Sequence, residues 1–221
     1  MKRNIGYFQI SVIEFLVATG ILLCAIFLFS FIADEIVIEN DTLFDARVFN
    51  FIASYESPTL TKVVRVITNF GTGFFLIPAY VIIIFYLKTT KKNQEAIMVT
   101  IVATVSLLSG WLLKDIFHRT RPLSPLISGV GGYSFPSGHS LGGFTFSGVL
   151  IYLLLRSSIP NYLKWILSFL LILFAFSIAF SRIYLRVHYA SDVLGSLLVT
   201  IVWLSLCFIL LETIEKKVQE E

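Results

Sequence analysis

Apolar residues in this chain gather into six long blocks, separated by shorter polar breaks. Most blocks approach the roughly 20 residues that cross a bilayer as a helix. A helix is expected for each, because a chain in lipid must satisfy its backbone polar groups internally. The first block runs from about Phe8 to Ala33, behind Lys2 and Arg3. It is longer than the apolar core of a cleaved leader, and Phe31 is bulky where cleavage wants a small side chain, so a retained first helix is expected. The second covers about Val66 to Leu87, loosened by Gly71, Gly73 and Pro78. The third spans about Ala96 to Phe117, the fourth Ser140 to Leu155, the fifth Trp165 to Ser181 and the sixth Val193 to Leu211. A charged tail, Glu212 to Glu221, follows.

The longest polar stretch, Asp34 to about Arg65, is not featureless. Leu43, Phe44, Val48, Phe49, Ile52 and Leu60 approximate helical spacing. Two readings fit: an amphipathic segment lying on the membrane surface, or a folded cap over the helix ends.

Composition narrows the class. The chain has 221 residues, of which 57% are hydrophobic and 14% charged, with a mean hydropathy of +0.86. Soluble domains average roughly 45–50% apolar and about 25% charged. An all-α integral membrane bundle is expected, as one domain over residues 1–221 in the cell membrane. The net charge of +3 is small and its basic residues are scattered, which gives no case for nucleic acid. Cys24 and Cys207 lie inside apolar blocks and read as two small core hydrophobes rather than a disulfide or metal framework.

Six spans put both termini on one side. That side carries Lys2, Arg3, Lys88, Lys91, Lys92, Arg156, Lys164, Lys216 and Lys217. The other has almost as many basic residues, Arg47, Lys62 and Arg65 among them, but Lys114, Arg121 and Arg182 there belong to the candidate site and acids offset the long loop, so the termini are expected in the cytoplasm. Parity then places the polar segments. No span separates Lys114 from His139, and two separate His139 from Arg182, so all three emerge together on the outer face.

Those segments carry the chemistry. In Phe135-Pro136-Ser137-Gly138-His139 the proline fits a first helical turn, and the glycine admits a ligand close to unpaired amides. That is an anion site with an imidazole at its edge. Lys114, Arg121 and Arg182 add three cations, suited to a group that carries negative charge and gains more on attack. His188 and Asp192 stand four residues apart, one helical turn. The carboxylate can fix one imidazole nitrogen and leave the other free as a nucleophile. His139 can donate a proton to a leaving oxygen. His118 and Arg119 read as interfacial anchors, and Tyr133, Phe135, Tyr184 and Tyr189 as an aromatic belt. Arg186 reads as a solvated turn residue. A metal held by His139, His188 and Asp192 is a rival arrangement, which three nearby cations oppose. The fourth block is rich in small residues, Gly142, Gly143, Ser147 and Gly148 among them, as close helix packing requires.

Lys114-x6-Arg121-Pro122, Pro136-Ser137-Gly138-His139 and Ser181-Arg182-x5-His188-x3-Asp192 together resemble the three-part signature of the type-2 phosphatidic acid phosphatase superfamily. Order, spacing and every signature residue agree, over the stretch from Lys114 to Asp192. The resemblance implies a metal-independent, cofactor-free lipid phosphatase working through a phosphohistidine. His188 would be the nucleophile, Asp192 its orienting carboxylate and His139 the acid and then the base. Lys114, Arg121, Ser137, Gly138 and Arg182 would hold the phosphate. Expected substrates are lipid phosphates or pyrophosphates such as undecaprenyl pyrophosphate, phosphatidylglycerophosphate or phosphatidic acid. Two alternatives keep the same anion site: a membrane lipid phosphotransferase, and a non-hydrolytic lipid-phosphate carrier. The sequence does not speak to oligomeric state.

Overall fold

The computed structural model describes residues 12–34 and 42–220. Among them there are eight helices and no strand: α1 (Val12–Ile32), α2 (Leu43–Ala53), α3 (Pro58–Asn69), α4 (Gly73–Thr89), α5 (Asn93–Phe117), α6 (Gly138–Leu155), α7 (Asn161–Tyr184) and α8 (Ala190–Glu220). Five are long and apolar enough to cross a membrane, or six if α3 and α4 count as one bent span. The first eleven residues, the beginning of the polar stretch at 35–41, and residue 221 lie outside the described residues.

The second apolar block departs from expectation. It is not one helix over Val66–Leu87 but the end of α3 and most of α4, bent by 42° at Phe70-Gly71-Thr72. Thr72 is extended, which ends one helix and serves as N-cap of the next. Ser57 starts α3 by accepting from the Leu60 amide at 3.2 Å, with Pro58 in the first turn.

Helix α6 sits among its neighbours because its small residues let them close in. A side chain at Gly142 would strike Leu76 on α4, one at Gly143 would press on Ile178 of α7, and one at Gly148 would strike Leu204 of α8. A seam of hydroxyls ties the same helices inside the apolar bundle. Ser106 on α5 meets Thr145 on α6 at 2.8 Å, and Thr145 meets Thr200 on α8 at 3.4 Å. Ser196, one turn nearer the helix start, bonds the Ser137 and Asp192 carbonyls at 2.9 and 2.7 Å. Polar pairs of this kind join helices where lipid offers no hydrophobic drive. From Phe15 onward helix α1 is almost wholly apolar and leaves Leu16, Leu23 and Phe27 facing outward, as a lipid-facing helix should. Cys24 is exposed on that helix, not in the core; Cys207 is half-buried, and both are free.

At one end of the bundle α2 and α3 form the cap. Ile52 and Val64 pack with Tyr184, Leu185 and Val187 in one apolar cluster. Tyr184 is fully buried there and its hydroxyl accepts from the Ser57 amide at 3.2 Å. Of the two readings of the polar stretch, the described part, residues 42–65, is the folded cap.

Candidate active site

The ends of α5 and α7 and the starts of α6 and α8 meet under this cap. Ser137 caps α6, its hydroxyl taking the Ser140 amide, and its own N–H bonds the Asp192 carbonyl at 3.3 Å. That bond ties the starts of α6 and α8 together. Gly138 is exposed with open space where a side chain would stand, and His139 follows half-buried in the first turn.

Asp192 is fully buried on the first turn of α8 and is surrounded by donors. Its Oδ1 accepts from Arg119 Nη1 at 2.7 Å. Its Oδ2 accepts from the Ser134 hydroxyl, from the Tyr189 amide at 2.9 Å, and from His188 Nδ1 at 3.3 Å. On the other side of the imidazole, His188 Nε2 lies 3.0 Å from Arg121 Nη1. A guanidinium only donates, so Nε2 is the acceptor and Nδ1 carries the proton. Burial pushes the His188 pKa down from its ordinary value to about 4, with Arg121 and Lys114 adding to the shift and Asp192 opposing it. The ring is therefore neutral near pH 7, with its bare nitrogen toward the cations.

Lys114 in the last turn of α5 donates to the Tyr133 and Ser134 carbonyls at 2.7 and 3.3 Å. Arg121 also donates to the carbonyls of Val187 at 2.7 Å and Gly132 at 2.9 Å. Arg182 is buried in the last turn of α7; its Nη1 reaches Thr68 at 2.5 Å, and its Nε has no hydrogen-bond partner among the described residues. His139 lies within electrostatic reach of Arg182, His188, Arg121 and Lys114. Every residue singled out by spacing, Lys114, Arg121, Ser137, Gly138, His139, Arg182, His188 and Asp192, is thus at the same end of the bundle. Among the described residues no group of His, Cys, Asp or Glu converges as a metal site would.

Three expectations fail here. Arg119 is not an interfacial anchor: it is buried, pairs with Asp192 and with Asp45 of α2, and lies 4.1 Å over the Tyr189 ring. Its neighbour His118 ends α5 in a left-handed conformation, exposed, with its ring 4.4 Å from that of Tyr133. The aromatic belt fails at Phe135 and Tyr184, both fully buried. Phe135 packs on Phe29 and Phe117 and fills the space beside Gly195. Arg186 is also no free turn residue, because it grips the Glu56 carboxylate at 2.7 and 2.9 Å.

Spacing did not find Asp45, Thr68, Gly71, Ser134 or Ser191. Asp45 did leave a trace. It falls three, four and seven residues before Val48, Phe49 and Ile52, so an acid sits in register with an apolar face. Gly71, in the α3–α4 break, lies against His139: a Cβ there would stand 3.0 Å from the His139 Cβ.

A cleft of about 500 Å³ runs from this end between α4, α5 and α6. Lys114, Gly138 and Gly71 stand at its polar end, and Leu76, Ile77, Leu107 and Trp111 line its apolar length.

A buried His–Asp pair thus stands beside the Lys114, Arg121 and Arg182 cations at one end of an apolar bundle. The chain belongs to the PAP2 superfamily, whose family profile matches residues 94–216. It is 32% identical over 143 residues to phosphatidylglycerophosphatase B of Bacillus subtilis strain 168, covering 62% of this chain and 68% of that one. It is 26% identical over 179 residues to an undecaprenyl-diphosphatase of Sulfolobus acidocaldarius, covering 79% and 82%. Its fold matches the crystal structure of a transmembrane PAP2-type phosphatidylglycerolphosphate phosphatase from Bacillus subtilis with a TM-score of 0.80 at 26% identity, over 87% of this chain and 96% of the other. The protein is a multi-pass membrane phosphatase.

Proposed function

We propose that this enzyme hydrolyses a lipid phosphate or lipid pyrophosphate at the outer leaflet, through a phosphohistidine on His188. The observation that carries the reading is the buried His188 ring, held at Nδ1 by Asp192 with Nε2 turned toward Arg121. Lys114, Arg121 and Arg182, with the Ser137 hydroxyl and the Gly138 amide, receive the phosphate oxygens. Arg121 moves from Nε2 to the phosphate, and Nε2 attacks phosphorus. The P–O bond to the leaving group breaks as His139 gives that oxygen a proton. His139 then takes a proton from water, the water oxygen attacks the phosphohistidine, and the N–P bond breaks to release inorganic phosphate. No step calls for a metal.

The cleft between α4, α5 and α6 supports a lipid substrate, because it joins a charged end to an apolar channel that suits tails left in the bilayer. Lys88, Lys91, Lys92, Arg156 and Lys164 lie at the opposite end from the site, at the α4–α5 and α6–α7 turns. At the site end Lys114, Arg119, Arg121 and Arg182 belong to the site and Arg186 is paired with Glu56, leaving Arg47, Lys62 and Arg65. Counted this way the basic residues favour cytoplasmic termini, six spans with α3 and α4 as one, and an outward site. One domain over residues 1–221 fits the same picture, since α2 and α3 supply Asp45 and Thr68 to the site.

The test is phosphate release by purified protein in detergent across undecaprenyl pyrophosphate, phosphatidylglycerophosphate and phosphatidic acid. At least one should be hydrolysed, and His188→Ala should abolish turnover. His139→Ala should cost far more on the lipid than on an aryl phosphate, whose leaving group needs little protonation. No release from any of the three, or equal losses on lipid and aryl substrates, would refute the respective step.

A further inference from the structure

A carboxylate beside an imidazole orients the ring and also raises its affinity for a proton. A nucleophilic imidazole needs the first effect and is harmed by the second. In this site Asp192 is shared. Arg119 donates through Nη1 to Asp192 Oδ1 and to Ser191 Oγ, both at 2.7 Å, and through Nη2 to Asp45 Oδ2 at 2.8 Å. Asp45 is itself fixed by the Ser191 amide at 2.9 Å and the Ser191 hydroxyl at 2.6 Å. All four residues are buried. Neither Arg119 nor Asp45 is in the three-part signature, and Asp45 lies before the stretch that the family profile matches.

We propose that Arg119, held in place by Asp45, is a positioning residue for the phosphatase reaction: it fixes the Asp192 carboxylate and takes up part of its charge, so that His188 is oriented yet stays unprotonated. The inference rests on His188 being the nucleophile. The division of contacts carries it. Asp192 Oδ2 serves His188, Ser134 and the Tyr189 amide, while Oδ1 serves Arg119. Without Arg119 the Oδ1 side loses this anchor, and the full carboxylate charge bears on His188. Without the Asp45 charge, Arg119 bears wholly on Asp192. The two changes therefore act on His188 in opposite directions.

The other groups facing His188 stay constant between such variants. They are Lys114 on α5, Arg121 and Ser134 in the 118–137 segment, His139 on α6, Arg182 on α7 and Tyr189 beside it.

The experiment follows kcat/KM against pH for wild type, Arg119→Met and Asp45→Asn, purified in detergent. Two aryl phosphates with different phosphate ionisations are used, so that the acid limb common to both belongs to the enzyme. In Arg119→Met that limb should move up by about 1 pH unit, the size usual for losing a charge partner at hydrogen-bond distance. In Asp45→Asn it should not move up. A limb that stays put or falls in Arg119→Met, or rises equally in both variants, overturns the proposal. Thermal melting establishes which variants are folded. If Arg119→Met is not, Arg119→Lys takes its place, because one ammonium cannot span both carboxylates, and its limb should also rise. Acid quenching of the wild type during turnover separates this from failure of the underlying reading. An acid-labile, base-stable phosphoenzyme that His188→Ala lacks keeps the nucleophile in place, so unmoved limbs then count against Arg119 alone. Its absence removes the nucleophile and this inference with it.

Discussion

Gly71 offers a sharp test of how the site is built, because it touches the proposed acid without being able to take part in the chemistry. It lies in the break between α3 and α4. A Cβ placed there would stand 2.7 Å from Ile178 Cγ2, 3.0 Å from His139 Cβ and 3.2 Å from His139 Cδ2. Carbon atoms pack at about 3.5–4.0 Å, so Gly71→Ala leaves the His139 contact roughly 0.5–1 Å too short. Ile178 is fully buried and cannot absorb the excess freely. The imidazole must shift by several tenths of an ångström. A displacement of about 1 Å can cost on the order of 100-fold in rate, so a loss of roughly 10- to 100-fold in kcat on a lipid phosphate is expected. An aryl phosphate should lose much less, because its leaving oxygen needs little from His139. The control is Gly143→Ala, whose three nearest neighbours would all be atoms of the same Ile178, at 3.2 Å and beyond. Phosphate release on both substrates, with thermal melting to confirm folding, gives the answer. An unchanged lipid rate in Gly71→Ala, or an equal loss on the two substrates, would refute the reasoning. So would a Gly143→Ala variant with the same lipid-selective defect.

Three further outcomes are expected. The buried His188 ring stays neutral until pH falls to about 4, so the enzyme's acid limb in kcat/KM should lie near there. An enzyme limb at the ordinary imidazole value of about 6.5 would contradict the effect of burial. Because the proposed steps use only side chains and water, dialysis against a strong chelator should leave phosphate release unchanged, and a loss restored by a divalent cation would overturn the mechanism. Thr145→Val removes the hydroxyl that meets Ser106 at 2.8 Å and Thr200 at 3.4 Å. It should lower stability in detergent by about 0.6 kcal/mol, up to roughly 1.7, as interhelical hydrogen bonds in membranes usually do; a variant more stable than wild type would refute it.

The spans were readable because a bilayer imposes its own period on a sequence. The positions of α5 to α7 and the start of α8 follow directly from the apolar blocks, within a few residues, while α8 continues past Leu211 through the charged tail to Glu220. The break at Phe70-Gly71-Thr72 was harder to see, because it interrupts an apolar run without a charge or a proline at the bend. The residues that carry the signature were legible since their spacing is local: Lys114 to Arg121, Ser137 to His139, Arg182 to Asp192. Arg119 was not, because what distinguishes it from a solvated arginine is a partner 74 positions earlier. Phe135 and Tyr184 misled for a related reason. Aromatic residues at a span end fit a belt as well as a plug; the cap formed by α2 and α3 decides for Tyr184, and packing against Phe29, Phe117 and Gly195 decides for Phe135.

The pairing of Arg119 with Asp45 also bears on how the protein is made. Asp45 leaves the ribosome long before Arg119 and Asp192, so the nascent chain displays an anion whose cation has yet to be synthesised. Closure of the pocket must therefore wait until α8 has been inserted. A fragment starting at residue 94 would keep the whole family-matched stretch yet bury Arg119 with one carboxylate and leave Arg182 without the Thr68 hydroxyl.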